Sequence, residues 1–169
     1  AILAAGFPSV LGAAGFAHNE NFIIYTPTQS SRAAEQQFAD LVLERAIAFR
    51  QEFAQQWLGE ELPGGAGRSV IHIDFSTTHD RGLTWAKDHP GRTLHNVFLV
   101  TSPENATGST LRHELAHTVL ATRFPHPNRL PAWLEEGIAS SYDDETRKSQ
   151  REQMMRAWVR TGHFANLAQ

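Results

Sequence analysis

The chain has 169 residues, 41% of them apolar and 20% charged, with fifteen Lys and Arg against eighteen Asp and Glu for a formal charge of -3. That length and apolar share suit one domain with a core of its own, so a single domain over 1–169 is expected; they argue against wholesale disorder, and the lack of a basic stripe argues against nucleic acid as partner. Cysteine is absent, which removes a disulfide framework, a thiolate metal site and a cysteine nucleophile together and leaves the redox compartment open.

Ala1 to Ala17 is a run of mostly small and apolar residues. One reading is a secretory signal remnant ending at Phe16-Ala17, which would favour an extracytoplasmic or secreted location. Pro8, three glycines and the missing basic n-region favour instead a packed N-terminal arm over residues 1–20. The run is too short and too broken for a membrane span.

Phe22 to Tyr25 is β-branched and aromatic and stops at Thr26-Pro27, the pattern of a strand. A long helix is expected from Ser30 to Leu58, with Phe38, Val42, Phe49, Phe53 and Trp57 at helical spacing and Gly59 as its stop. Leu62 to Gly67 reads as a loop and Val70 to Phe75 as a strand. Thr77 to Arg92 has little periodicity and is expected to be a loop or an irregular edge element. Asn96 to Thr101 is a further strand, stopped by Ser102-Pro103. A helix then runs from Ser109 or Thr110, either of which can cap it, to Phe124. Pro131 opens another helix to about Asp144, and Glu145 to Arg160 is a last, charged one. The order is strand, long helix, strands, then helices alone. The expected class is α+β: a small mixed β-sheet covered by the long helix and the motif helix, with a helical C-terminal part after it.

His113-Glu114-Leu115-Ala116-His117 lies on one of those helices. Residues four apart stand one turn above each other, so both imidazoles address one point, which is half of a tetrahedral zinc site. Glu114 is turned about 100° from His113, where a side chain can reach a water beside the metal without ligating it. The bland alternative is a helix with solvated histidines, and the surroundings decide against it. Leu111, Leu115, Val119 and Leu120 give the helix a face to pack, and Glu136 follows His117 after a gap of eighteen residues, long enough for a returning helix. A third histidine six residues after the second is ruled out, because Leu120 and Arg123 stand where a glycine and that histidine would be needed.

The stretch from Leu111 to Tyr142 resembles the gluzincin superfamily of zinc peptidases, in particular its peptidase MA-like and aminopeptidase-N-like branch. There His-Glu-x-x-His is followed, at the same gap, by the equivalent of Trp133-Leu134-Glu135-Glu136-Gly137-Ile138-Ala139. The resemblance covers about a fifth of the chain. It implies one Zn2+ held by His113, His117 and Glu136, Glu114 as general base, and a peptide or protein substrate extended along an edge strand at Asn96 to Thr101. It implies a piece of a longer protein too, since such peptidases continue past the position of Gln169.

The chain departs from that pattern in two ways. The Gly-x-Met-x-Asn motif that grips a free N-terminus is missing, which favours an endopeptidase over an aminopeptidase. The group that stabilises the tetrahedral intermediate is left unassigned among the downstream Tyr and His: Tyr142 is turned about 120° from Glu136 on an ideal helix, and His163 lies in a segment with no assigned place. A metal-holding but inactive binding domain is the remaining alternative, disfavoured by Glu114, which metal binding alone does not need.

Glu135 is the rival carboxylate and reads as solvated. Asp143, two turns beyond Glu136, could orient a ligand histidine, but a surface aspartate is the preferred reading. His18, His72, His79, His89 and His95 read as surface or partly buried, His126 as a loop residue, and Trp57, Trp85, Trp133 and Trp158 as core. Asn105-Ala106-Thr107 fits a glycosylation sequon, relevant only to a secreted eukaryotic protein.

Overall fold

In the computed structural model, which describes residues 15–89 and 92–162, the chain is α+β. Its strands are β1 (Gly15–His18), β2 (Phe22–Thr26), β3 (Gly67–Phe75), β4 (Arg81–His89) and β5 (Arg92–Thr101). Its helices are α1 (Arg32–Phe53), α2 (Ser109–Arg123), α3 (Ala132–Ser140) and α4 (Glu145–Thr161). The strands form one mixed sheet in the order β1-β2-β3-β5-β4. β2, β3 and β5 are parallel, while β1 and β4 run antiparallel on the two edges. Parallel neighbours need a long crossover, and α1 supplies it between β2 and β3. Ser31 caps α1 by accepting from the Ala34 N–H at 3.2 Å, and a π-turn over Ala54–Leu58 ends it at Gly59, whose φ of 73° suits glycine.

Alternation decides which face of the sheet is buried. Phe22, Ile24, Ile71, Ile73, Val97 and Leu99 point to one side and meet α1 and α2 there. α1 presents Ala39, Val42, Ala46 and Phe53 at helical spacing, and α2 presents Leu111, Leu115 and Val119. On the opposite face, each strand contributes one ring to a row running Phe16, Tyr25, His72, Phe98, Trp85, with successive centroids 5.5, 5.0, 4.7 and 4.9 Å apart. Such cross-strand pairs each add about 0.5–1.5 kcal/mol beyond their burial and pin the register. Burial among these rings lowers the His72 pKa despite the opposing pull of Asp74.

Several sequence expectations need correction. Residues 15–18, assigned to an N-terminal arm, form an edge strand paired with β2, while the rest of the signal-like run lies outside the described residues. Thr77 to Arg92, read as a loop or an irregular edge, contains the nine-residue strand β4. Its inward positions are Gly82, Thr84 and Ala86, which are too small or polar to give an apolar alternation but let α2 lie close. Asn96 to Thr101 is therefore not an edge. It belongs to β5, paired with β3 on one side and β4 on the other. α2 is capped by Gly108 without a side-chain bond, because the Ser109 and Thr110 hydroxyls reach Asp144 and Asp80 instead. The third helix stops at Ser140, not near Asp144. Trp57, Trp133 and Trp158 are exposed rather than core, and His95 is wholly buried against Thr122.

α4 buries none of its residues. Charge holds it: Asp144 caps it through the Arg147 N–H at 2.9 Å, and Arg147 and Arg151 reach back to acidic groups on the body. No helix among the described residues is long and apolar enough to cross a membrane.

Leu115 is fully buried on the sheet-facing side of α2. Leu115→Ala is expected to lower unfolding free energy by about 2–5 kcal/mol, read as a fall in the urea midpoint at unchanged slope; a change below 0.5 kcal/mol would refute the packing of α2 described here.

Candidate metal centre

α2 is rigid because its core face is buried, and that fixes where its remaining side chains go. His113 and His117, one turn apart, bring their Nε2 atoms to 3.3 Å. The His113 Nδ1 faces Asp143 Oδ1 at 2.9 Å, and the His117 Nδ1 faces Glu135 Oε1 at 2.8 Å. An ionised carboxylate only accepts, so each ring donates its Nδ1–H outward and turns its Nε2 lone pair toward the other ring. Two lone pairs at that distance repel unless a proton or a cation lies between them.

Glu136 completes the group. Its Oε1 is 3.7 Å from His117 Nε2 and its Oε2 is 3.9 Å from His113 Nε2. Among the described residues, His113, His117 and Glu136 are the group able to hold a metal ion, their donor atoms lying within 4.8 Å of one another. Two imidazole nitrogens and one carboxylate suit Zn2+, whereas Mg2+ and Ca2+ favour all-oxygen sets. The donor chemistry therefore fits zinc, and the convergence of the two lone pairs is the observation that tests it.

α3 packs against α2 and presents consecutive glutamates to the motif. Glu136, with its side chain 62% exposed, faces the two Nε2 atoms, and Glu135, 22% exposed, goes behind His117. Glu135 is therefore not merely solvated. Asp143 is not a surface residue either: its side chain is fully buried. It comes from the turn after α3, bonded through Asp143 N–H to Ser140 O, and the sequence could not place it because an uninterrupted helix was assumed there. Burial pushes the Asp143 carboxyl up, but the hydrogen bond and charge of His113 and the Arg151 guanidinium outweigh it, and its pKa lies below the usual aspartate value. For His117, burial pulls the pKa down, yet the Glu135 hydrogen bond and the charges of Glu114, Glu136 and Glu135 win, and it lies above 6.5.

Glu114 is 5% exposed and stands apart from the donor group. Its Oε2 accepts from the Thr84 hydroxyl at 2.6 Å. Gly82, two residues earlier on β4, leaves the room its carboxylate occupies: a Cβ there would overlap Oε1, Cγ and Cδ of Glu114. The pocket is an open cleft of about 430 Å³ lined by Arg81, Gly82, His113, Glu114 and Glu136, with Arg147 and Arg151 on the α4 side. Nothing in the spacing of the sequence pointed to these arginines, whose place depends on how α4 returns over the site.

Tyr142 is committed elsewhere. Its hydroxyl donates to Gln56 Oε1 at 2.7 Å and accepts from Trp57 Nε1 at 2.6 Å, and its ring packs edge-on to Phe53. His126 lies in the exposed loop after α2, and His163 falls outside the described residues. Asn105, first residue of the sequon, donates to Asp80 Oδ2. Compared with family models, curated proteins and solved structures, the chain matches none.

Removing the anchors behind the imidazoles should weaken the metal site without unfolding the chain. Asp143→Asn and Glu135→Gln are each expected to lower Zn2+ affinity about 10–100-fold in competition with a chromogenic chelator; unchanged affinity in both would refute the anchoring role. A cation must displace the proton that the raised pKa of His117 retains. Affinity therefore holds at alkaline pH and falls on acidification, beginning above pH 6.5 rather than below it, with proton release on binding. A zinc titration across pH reads this directly, and affinity that stays flat down to pH 6 contradicts it.

Proposed function

We propose that this chain is a zinc-dependent hydrolase of peptide bonds, of the gluzincin type, cutting internal bonds. The observation that carries the reading is the separation of roles within one cleft. Three donors converge on a point, two buried or half-buried carboxylates orient the imidazoles from behind, and a third carboxylate, Glu114, is held beside the donors by Thr84 instead of joining them. A site built only to hold a metal needs the first two features and not the third.

Bound at His113, His117 and Glu136, zinc would supply Lewis acidity to a water and to the carbonyl of the scissile bond. The other contributions come from the chain. Thr84 occupies Oε2 of Glu114 and leaves Oε1 to take a proton from the attacking water. Glu114 then passes that proton to the amine nitrogen as the C–N bond breaks. Asp143 and Glu135 keep each ligand imidazole in the tautomer with its Nε2 lone pair inward.

β4 supports a peptide rather than a small substrate. Among the described residues it pairs only with β5, so its other edge offers main-chain N–H and C=O groups to an extended chain. Gly82 and Thr84 on that strand touch Glu114, which brings such a chain to the carboxylate that works on it. The substrate strand is thus β4, one strand outward from the place the sequence suggested.

Zinc-loaded protein incubated with an unstructured labelled protein is expected to give internal cuts that a chelator abolishes and added Zn2+ restores. Stepwise trimming would indicate an aminopeptidase instead, and no cleavage would leave a metal-holding domain. Glu114→Gln should bind zinc as the wild type does and lose turnover by at least about a thousandfold; cleavage within tenfold of wild type would remove Glu114 from the mechanism. Gly82→Ala should act in the same direction by displacing the Glu114 carboxylate, again with zinc retained.

A further inference from the structure

The wall of the cleft facing β4 comes from α4, whose Arg147, Gln150, Arg151 and Met154 stand at helical spacing along one side. Arg81, at the start of β4, lines the other side next to Gly82. The cleft thus brings together three arginines, and among the described residues the acidic groups they contact are Asp80 and Asp143.

The three differ in how fully they are used. Arg147 is largely consumed: it donates to the Asp80 main-chain carbonyl at 2.7 Å and meets Asp80 Oδ1 at 3.0 Å and Asp143 Oδ1 at 3.5 Å. Asp80 is itself saturated by Thr101, Thr110 and Asn105, so this part of the wall is structural. Arg151 touches Asp143 Oδ2 through Nη2 alone, at 2.5 Å, and is 37% exposed. A guanidinium carries five N–H donors in a planar fork, so most of those on Arg151 remain for a ligand. The Arg81 backbone pairs with β5, but its exposed side chain has no hydrogen bond or ion pair among the described residues. The other carboxylates of the cleft are not paired with Arg81 or Arg151: Glu136 faces the two histidines and Glu114 accepts from Thr84.

We propose that Arg81 and Arg151 form a carboxylate-binding subsite in the cleft, so that a peptide hydrolysed here carries a carboxylate beside its scissile bond. The chemistry is shared by two sources, an acidic side chain and a free C-terminus. Guanidinium groups bind either by paired, charge-assisted hydrogen bonds. Arg81 is placed for this by being on the strand that receives the peptide, one residue from the glycine under Glu114. Arg151 approaches from the opposite wall, and Met154 gives the rim an apolar edge for the aliphatic part of the residue. This inference rests on the hydrolase reading, and its test separates the two.

Zinc-loaded wild type is given matched peptides that differ only in the carboxylate. One pair is blocked at both ends and carries Glu or Gln beside the cut bond; the other has a free or an amidated C-terminus near it. The member bearing the carboxylate is expected to have the higher kcat/KM by about tenfold or more, and the pair that discriminates identifies the source. Arg81→Glu should invert the preference, favouring Lys over Glu, and high salt should flatten it. Binding of the same fluorescent peptides to zinc-loaded Glu114→Gln, followed by anisotropy, reads the subsite without turnover. Cleavage with no preference in either pair overturns the subsite and leaves the hydrolase standing. Equal binding of acidic and neutral peptides to Glu114→Gln also overturns it, whether or not the wild type cuts. Preferential binding of the acidic peptides with no cleavage by wild type upholds the subsite and overturns the hydrolase.

Discussion

Two imidazole nitrogens facing each other at 3.3 Å, each ring held from behind by a carboxylate, form the constraint around which this fold is arranged. Such a pair is stable only with a positive charge between its members, whether the proton favoured by the raised His117 pKa or a metal in its place. It further requires that the rings not swing apart. α2 prevents that by being buried on nearly all sides, with Leu111, Leu115 and Val119 against the core and His113 and Glu114 themselves almost inaccessible. Two glycines make the close approach possible. A Cβ at Gly67 on β3 would run into Thr122, and one at Gly82 on β4 into Glu114.

The second layer of the site links parts of the chain that share no apolar core. Asp143 receives His113 on one oxygen and faces Arg151 of α4 with the other, while Arg147 ties the same helix to Asp80 at the head of β4. Asp80 in turn accepts from Thr101 at the end of β5 and Thr110 in the first turn of α2. A helix with no buried residue is thereby held over the cleft by charged groups that reach His113 in two steps. Partly buried arginine–carboxylate contacts of this kind set geometry more than they add stability, which suits a wall that must be placed accurately.

Much of this was legible in the sequence, and the parts that were not have physical reasons. His113, Glu114 and His117 follow from helix periodicity, since a four-residue spacing on a helix leaves little choice of direction. Glu136 followed from the gap and the family resemblance, and the structure brings it to the two histidines. Glu135 was harder, because adjacent glutamates on a short helix differ only in which side of His117 they meet. Asp143 was misread because α3 stops at Ser140 and the turn after it carries the aspartate inward, a change of direction that helical periodicity cannot show. β4 was hidden by its own packing. A strand that must admit a helix on one face carries Gly82, Thr84 and Ala86 where an ordinary strand would carry branched apolar residues.

Whether His113, His117 and Glu136 together hold one zinc ion is read by X-ray absorption at the zinc edge on protein loaded with one equivalent of Zn2+. The expected spectrum has two imidazole nitrogens and light oxygen donors at about 2.0–2.2 Å, and it loses one imidazole in His117→Ala. A shell of water-like oxygens alone, or a spectrum unchanged by that substitution, would contradict the account.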